Sequence, residues 1–171
     1  MKNQPTKSKS TIIHIVAACL VLAVLGPPAA ELTTASNGRG GPPIFYQGTI
    51  ILPGICGFDV QVSGSFRQGV ISLPGGDLLI TNPEDFPTFT NLSDPSKSVT
   101  LSNTGPVRIS PDQNGNILVV LGLGRDLLYD PSYGLKFLIG EWTFTIDANT
   151  GDLIDGPTGN GQIIDICTLI Q

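Results

Sequence analysis

The fold of this chain is decided by the stretch ICGFDVQVS, which runs from Ile55 to Ser63. Apolar and polar side chains alternate along it, and this pattern predicts a β-strand with one face in the core. A counterpart, IIDICTL, runs from Ile163 to Leu169 near the other end of the chain. Each stretch carries one cysteine, Cys56 or Cys167. A bond between them would tie the first part of the folded domain to the last.

Residues 1–30 have the composition of a secretory signal peptide. Three lysines precede an apolar run of roughly 15 residues, Thr11 to Leu25. Because a membrane span needs about 20 apolar residues, we expect the signal to be cleaved. An uncleaved anchor is the alternative, and it would be the chain's only contact with a membrane. The sequence therefore predicts a secreted, extracellular protein.

The remainder divides into a linker and one domain. Residues 31–43 are rich in Thr, Ser, Gly and Pro, which predicts a flexible linker. In residues 44–171, short β-type runs alternate with turn clusters such as Pro74-Gly75-Gly76 and Asn114-Gly115. No segment shows the 3.6-residue period of a helix. We expect an all-β domain, either a single antiparallel β-barrel or a two-layer β-sandwich, with mostly hairpin connections.

The alternation also predicts where strands begin and end. Ile55–Ser63 and Phe66–Leu73 are expected to be separate strands, with Asn82–Asp85 a loop and Gln162–Ile170 the last strand. Gly134–Ile146 alternates well, with Gly140 at a point where a side chain must be absent. The residues expected to share its inner face are Leu138, Trp142, Phe144 and Ile146.

The charge and histidine content limit the possible functions. Loss of Lys2, Lys7 and Lys9 with the signal leaves 6 basic residues against 14 acidic ones, a net charge of 6 − 14 = −8. Such a chain is not expected to bind nucleic acid by its charge. The only histidine, His14, also lies in the signal. This excludes catalytic Ser-His-Asp or Cys-His groups and histidine-ligated metals from the mature protein.

The cysteine count favours a Cys56–Cys167 disulfide. Cys19 is lost with the signal, which leaves two of the 3 cysteines. In an oxidising compartment those two have only each other as partners. The alternative is a pair of buried free thiols that behave as small apolar side chains.

The richest polar cluster surrounds Gly124 and provides the candidate catalytic residues. Arg125, Asp126 and Tyr129 lie here, and Glu141 follows on the next predicted strand. In a small β-barrel enzyme, cyclase-like or a carboxylate-dependent hydrolase, these four residues would be the catalytic candidates. Arg125, its neighbouring carboxylates and Tyr129 would line a pocket mouth. The simpler interpretation is a β-bulge at Gly124, with Arg125 and Asp126 in an ordinary ion pair.

An oxygen-rich sequence begins at Asp147 and continues through Asn149 to Asp152 and Asp155. Its spacing resembles a calcium loop. The same residue types form Asx turns, and the position between two β-runs favours a turn. We therefore expect no metal and no cofactor.

Two further acids and one asparagine have alternative interpretations. Asp59 and Asp165 lie close to the cysteines in apolar runs. They are expected on the solvent face of a sheet edge, with a general acid of raised pKa as the alternative. Asn91-Leu92-Ser93 is a glycosylation sequon, which is relevant only in a eukaryotic secretory pathway.

Several short motifs together resemble small secreted bacterial β-rich proteins of unassigned function. The motifs are Cys56-Gly57-Phe58-Asp59-Val60, Gly124-Arg125-Asp126-Leu127-Leu128, Thr145 to Gly151 and Asp165-Ile166-Cys167. The resemblance implies a cysteine pair and an extracellular location. It implies no activity and no functional residue.

These observations lead to two hypotheses about function. The first is a secreted, non-catalytic β domain that has a structural role or binds an extracellular partner or small ligand. The second is the small β-barrel enzyme that would use the cluster around Arg125.

Overall fold

A computed structural model describes residues 43–171. The predicted signal and all but the last residue of the predicted linker lie outside this range. The described chain forms nine β-strands and one short helix. These are β1 Ile44–Leu52, β2 Val60–Ser72, β3 Leu78–Asp85, β4 Thr88–Asn91, β5 Ser98–Thr100, β6 Val107–Pro111, β7 Ile117–Asp130, β8 Gly134–Asp147, β9 Leu153–Asp165 and α1 Ile166–Leu169.

All nine strands belong to one antiparallel sheet, which confirms the all-β prediction. The strand order is β5-β4-β2-β3-β6-β7-β8-β9, and β1 pairs with the free side of β2. Strand β2 is long enough to pair with β4 through its first residues and with β3 through its last ones. The sheet is not closed into a barrel, because no ladder in residues 43–171 joins β9 to the opposite edge.

Two apolar cores lie on opposite faces of the long β7–β8 hairpin. Leu128 and Leu138 belong to the first core, together with residues of β3 and β6. Phe137 belongs to the second core, and Leu127 packs against it with residues of β2 and β4. Since neighbouring residues of a strand point to opposite faces, this end of the hairpin is covered on both sides. The hairpin is therefore the central element of the domain.

The predicted face of β8 is confirmed. Its inner-face residues Leu138, Trp142, Phe144 and Ile146 are all buried in the first core. Gly140 lies among them with φ 126°, and a Cβ at this position would overlap the backbone oxygen of Asn160. The predicted Asn114-Gly115 turn is also present, with Gly115 at φ 70° and its N–H donated to the Asp112 carbonyl at 3.0 Å.

The strand predicted over Ile55–Ser63 begins later than expected. Its second half is buried as expected, since Val60 and Val62 are fully enclosed. Residues 53–58 form turns instead, with Gly54 and Gly57 at positive φ. The Asp59 carboxylate fixes this turn by accepting the Gly54 N–H at 2.9 Å. The strand then continues through the predicted break at Gly64, so that two predicted strands form the single strand β2.

The segment Asn82–Asp85 is the end of β3 and not the predicted loop. Its Asn-Pro-Glu-Asp composition is typical of a turn, but a register shift in the β2–β3 ladder accommodates it. The shift lies between Arg67 and Gly69, and beyond it Arg67 pairs with Glu84 and Phe66 with Asp85. The bulge points Asn82 and Asp85 into the protein, where both are buried.

The end of the chain also differs from the prediction. Strand β9 includes the glycine-rich residues 156–161 and pairs with β8. A Cβ at Gly159 or Gly161 would overlap the backbone of β8, so the close approach of the two strands requires glycine there. The strand then ends at Asp165, whose Oδ1 accepts the Cys167 N–H at 3.0 Å and so begins α1. The predicted last strand is therefore half strand and half helix.

Candidate functional site

The structure contains the predicted disulfide. Cys56 and Cys167 are bonded, with their Cα atoms 5.2 Å apart and a separation of 111 positions in the sequence. Both half-cystines pack against the second core. The bond joins the turn before β2 to helix α1, so it fixes the two ends of the described domain to each other.

The four candidate catalytic residues do not come together. Arg125 and Glu141 are exposed, and they lie on one face of the β7–β8 hairpin because Arg125 pairs with Ile139 and Glu141 with Leu123. Tyr129 packs against the second core. Asp126 lies on the other face of β7 and is buried. The interpretation of Arg125 and Asp126 as an ion pair is also wrong, because they point in opposite directions.

Asp126 is the unusual member of this group. Asp126 is 6% exposed, and its Oδ2 is buried without a hydrogen-bond partner among the described residues. The carboxyl lies over Gly122, where a Cβ would overlap Oδ2. Burial raises the pKa of Asp126 to about 7. A carboxyl of this kind keeps its proton to a higher pH than an exposed aspartate, and its protonated form can donate a hydrogen bond.

A second buried carboxyl, Asp85, is held by Asn103. The Asn103 backbone N–H donates to the Asp85 carbonyl at 2.8 Å, and Asn103 Nδ2 donates to Asp85 Oδ2 at 2.6 Å. Burial raises the pKa of Asp85 to about 6, although the Asn103 hydrogen bond opposes the shift. Asn103 is itself 5% exposed, and its Oδ1 has no partner among the described residues.

One side of segment 103–105 contacts the end of β3, where the Asn103 N–H donates to the Asp85 carbonyl. Its other side lies against β7, where the Gly105 N–H donates to the Arg125 carbonyl at 3.0 Å. A Cβ at Gly105 would come within 2.6 Å of that oxygen, so the close approach requires glycine. The regular β6–β7 ladder ends where Val107 pairs with Gly122, so it contains neither Asn103 nor Asp126. We call Asp85, Asn103 and Asp126 the inner polar band.

The inner polar band lies between apolar neighbours. Phe66 pairs with Asp85 on one side, and Leu138 pairs with Asp126 on the other. Both are buried, which accounts for the desolvation of the carboxyls. Next to the band, Gln68 Nε2 donates to Asn82 Oδ1 at 3.4 Å. Buried polar atoms without partners are rare in folded proteins and require an explanation such as a water molecule or a ligand.

Sequence reasoning identified Asp126 but placed it in the wrong surroundings, and it missed Asp85 and Asn103. Asp85 was hidden in a turn-like sequence, and Asn103 lies in a segment without strand pattern. One available signal was the alternation of Asp126 with Val120 and Leu128, which predicts that Asp126 points into the core.

The oxygen-rich sequence at Asp147 is a turn. Asp147 Oδ1 accepts the N–H groups of Asn149 and Thr150 at 2.7 and 3.0 Å. These hydrogen bonds lower the pKa of Asp147. Between residues 43 and 171 no three His, Cys, Asp or Glu side chains are grouped so that they could hold a metal ion. That part of the chain also has no helix with the length and apolar character of a membrane span.

The interpretation of Asp165 as a general acid requires a raised pKa, whereas the pKa of Asp165 is lowered. Its Oδ2 lies 2.5 Å from Lys136 Nζ, and this contact is the main cause of its lowered pKa. The sequon residue Asn91 is 5% exposed. Its Nδ2 donates to the Ile170 carbonyl at 3.1 Å, and its Oδ1 accepts the Ser93 N–H at 2.8 Å. A glycan on Asn91 is therefore incompatible with this fold.

Comparison of the chain with protein-family models, with curated proteins and with solved structures found no match.

Proposed function

We propose that this protein is an exported, disulfide-bonded β domain that binds a ligand outside the cytoplasmic membrane and is not an enzyme. The observation that carries the proposal is the inner polar band, where Asn103 Oδ1 and Asp126 Oδ2 are buried without partners. Hydrogen-bonding groups that are buried and unused destabilise the free protein, and a bound molecule that satisfies them restores the loss.

The arrangement of the other polar residues supports binding over catalysis. General acid–base chemistry needs groups within hydrogen-bond reach of the same reacting atoms. Arg125 and Glu141 lie on one face of the hairpin and Asp126 on the other, so no single substrate can contact all three. This arrangement favours the binding hypothesis over the enzyme hypothesis, which requires these residues in one site.

The location rests on the first 30 residues and the disulfide. A signal-like N-terminus directs export, and a disulfide of this kind persists in oxidising compartments. Cell fractionation with N-terminal sequencing tests the location. We expect a processed protein outside the cytoplasm, beginning between Ala30 and Ser36. Intact Met1 in the soluble cytoplasm would contradict export.

A thermal-shift screen tests the binding role. The exported protein is heated with separate sets of small amines, polyols, sugars and carboxylates. A ligand that binds only the native state raises the unfolding midpoint in a concentration-dependent manner. Asp126→Asn should remove the increase, whereas Asp155→Asn, which changes an exposed carboxyl, should not. An increase that is the same in both variants would contradict binding at the inner polar band.

A further inference from the structure

We propose that strand β1 binds the β1 strand of a second copy of this chain, edge to edge and antiparallel. The sheets of the two molecules then join about a twofold axis at Gly48. This association is separate from the ligand-binding role proposed above and does not depend on the inner polar band.

Strand β1 is an open edge of the sheet. Its nine residues, Ile44–Leu52, pair with β2, and among residues 43–171 no strand pairs with its other side. The N–H and C=O groups along such an edge can pair with an added strand. The β1–β2 ladder runs from end to end of β1 without a register shift, so the edge is regular and already ordered. A preformed strand loses little conformational entropy when a partner binds.

The other two ends of the described sheet have features that prevent such pairing. Folded proteins protect exposed edges with short strands, prolines, charged residues and bulges. Strand β5 has only three residues. Strand β9 contains Asp155, Pro157 and Asp165, and its ladder with β8 has two register shifts. Strand β1 has no charged residue, no proline and no bulge, so it is the edge best suited to accept another strand.

The sequence of β1 is self-complementary about its central residue. When IFYQGTIIL is paired antiparallel with itself around Gly48, polar residues meet polar ones and apolar residues meet apolar ones. Gln47 then lies opposite Thr49. The apolar pairs are Phe45 with Ile51, Tyr46 with Ile50 and Ile44 with Leu52. Because a twofold interface requires a self-complementary surface, this pattern favours a second copy as the partner.

Two exposed apolar side chains of β1 become covered in this register. Phe45 is 58% exposed and Ile51 is 57% exposed, and their partners on β2 are the polar residues Arg67 and Gln61. In the twofold arrangement Phe45 of each copy lies beside Ile51 of the other, on the same face of the joined sheet. Two such pairs form in every dimer, and pairs of aromatic and β-branched side chains stabilise neighbouring strands.

The distribution of charge permits association at this edge. Residues 43–171 carry 5 Lys and Arg against 13 Asp and Glu, a net charge of 5 − 13 = −8, so two copies repel each other in general. Strand β1 and residues 60–68 of β2 contain no acidic residue. Their one charged side chain, Arg67, is paired with Glu84 at 3.2 Å. The contact therefore places no carboxylate directly opposite another.

Sedimentation equilibrium of the exported protein over a wide range of concentrations tests the association. Because the contact uses one strand from each copy, we expect a dimer that dissociates on dilution. Added salt should strengthen it by screening the repulsion between two negative domains. Phe45→Lys and Ile51→Lys should each weaken the dimer about tenfold, since each change removes two apolar pairs. Ile154→Lys alters a side chain that is 53% exposed on β9, and this matched control should leave dimerisation unchanged.

A charge-rescue variant tests the register. In Phe45→Lys/Ile51→Glu, the introduced lysine of each copy would lie opposite the introduced glutamate of the other. The two positions are 51 − 45 = 6 residues apart on one extended strand, a distance of about 20 Å, so the new charges cannot pair within one chain. The double variant should dimerise more strongly than Phe45→Lys or Ile51→Glu alone, and salt should weaken its dimer.

All of these variants change exposed side chains, and amide NMR spectra will establish that they are folded. Wild-type protein that stays monomeric at every concentration would leave β1 to a strand of another protein and overturn the second copy as partner. A dimer that Phe45→Lys and Ile51→Lys do not weaken would overturn β1 as the contact. Weakening by both single changes without rescue in the double variant would overturn the register about Gly48.

Discussion

The carboxyl of Asp126 occupies the space above Gly122 that a side chain at that position would need. The two residues lie on the same inner face of β7, and Gly122 pairs with Trp142 on β8. The glycine therefore determines where the buried carboxyl lies.

Gly122→Ala should displace the carboxyl and destabilise the protein. The added methyl overlaps Asp126 Oδ2, and overpacking of this kind costs about 1–3 kcal/mol. Chemical denaturation measures the loss. Because the clash requires both groups, the double variant Gly122→Ala/Asp126→Ala should be more stable than the sum of the two single changes predicts. Strict additivity would contradict the contact.

Stability should fall as the pH rises from about 4 to 8. In the folded protein burial raises the pKa of Asp126 from 3.8 to about 7 and that of Asp85 to about 6. The folded state then binds more protons than the unfolded state, so its advantage is complete below the unfolded pKa and is lost as the pH passes the folded value. For Asp126 the loss is on the order of 4 kcal/mol.

Urea unfolding at pH 5 and pH 8 tests this prediction. Asp126→Asn should lose most of the decline, because its side chain does not ionise. Asp155→Asn, an exposed carboxyl, is the matched control and should keep the wild-type decline. If all three proteins show the same difference between the two pH values, Asp126 is not the group responsible.

Removal of the disulfide by Cys56→Ser/Cys167→Ser should destabilise the domain strongly. The bond closes a loop of 111 residues, and the loss of chain entropy in the unfolded state is worth about 4–5 kcal/mol for loops of this length. Equilibrium unfolding of the variant and of reduced wild type should agree. Two reactive thiols per chain in unfolded, unreduced protein would show that the bond does not form.

Asn91→Ala should cost about 1–3 kcal/mol, since it removes the hydrogen-bond donor of the buried Ile170 carbonyl and the acceptor of the Ser93 N–H. The control is Asn160→Ala, because Asn160 is exposed on β9. Thermal unfolding compares the two. Equal midpoints would mean that the Asn91 contacts contribute nothing. Expression in a eukaryotic secretory host should also give no glycan on Asn91 in folded protein.

The alternation of apolar and polar residues predicted the all-β class and the inner face of β8. It did not predict the buried polar residues Asp85 and Asn103. The alternation of Leu138, Trp142 and Phe144 correctly predicts the inner face of β8, because alternate residues of a strand point to the same face. Asn82–Asp85 shows the limit of such reasoning. Its turn-like composition is overridden by pairing with β2, a long-range contact that no window of sequence contains.

The candidate site was harder to predict for the same reason. Asp126 was identified from its polar neighbours Arg125 and Tyr129, but strand alternation places it on the opposite face of β7 from both of them. Asp126 pairs instead with Leu138 on β8, and Asn103 meets Asp85 at the end of β3. The sequence contains the residues of the inner polar band, whereas the sheet determines which of them meet.

The central claim is that Asp126 is a buried carboxyl whose Oδ2 has no hydrogen-bond partner among residues 43–171. The most direct test is the pH titration of its carboxyl carbon by NMR in the folded protein. We predict a midpoint near 7, because burial disfavours the ionised form. A midpoint near 3.8 in the free protein, as for an ordinary aspartate, would contradict the account.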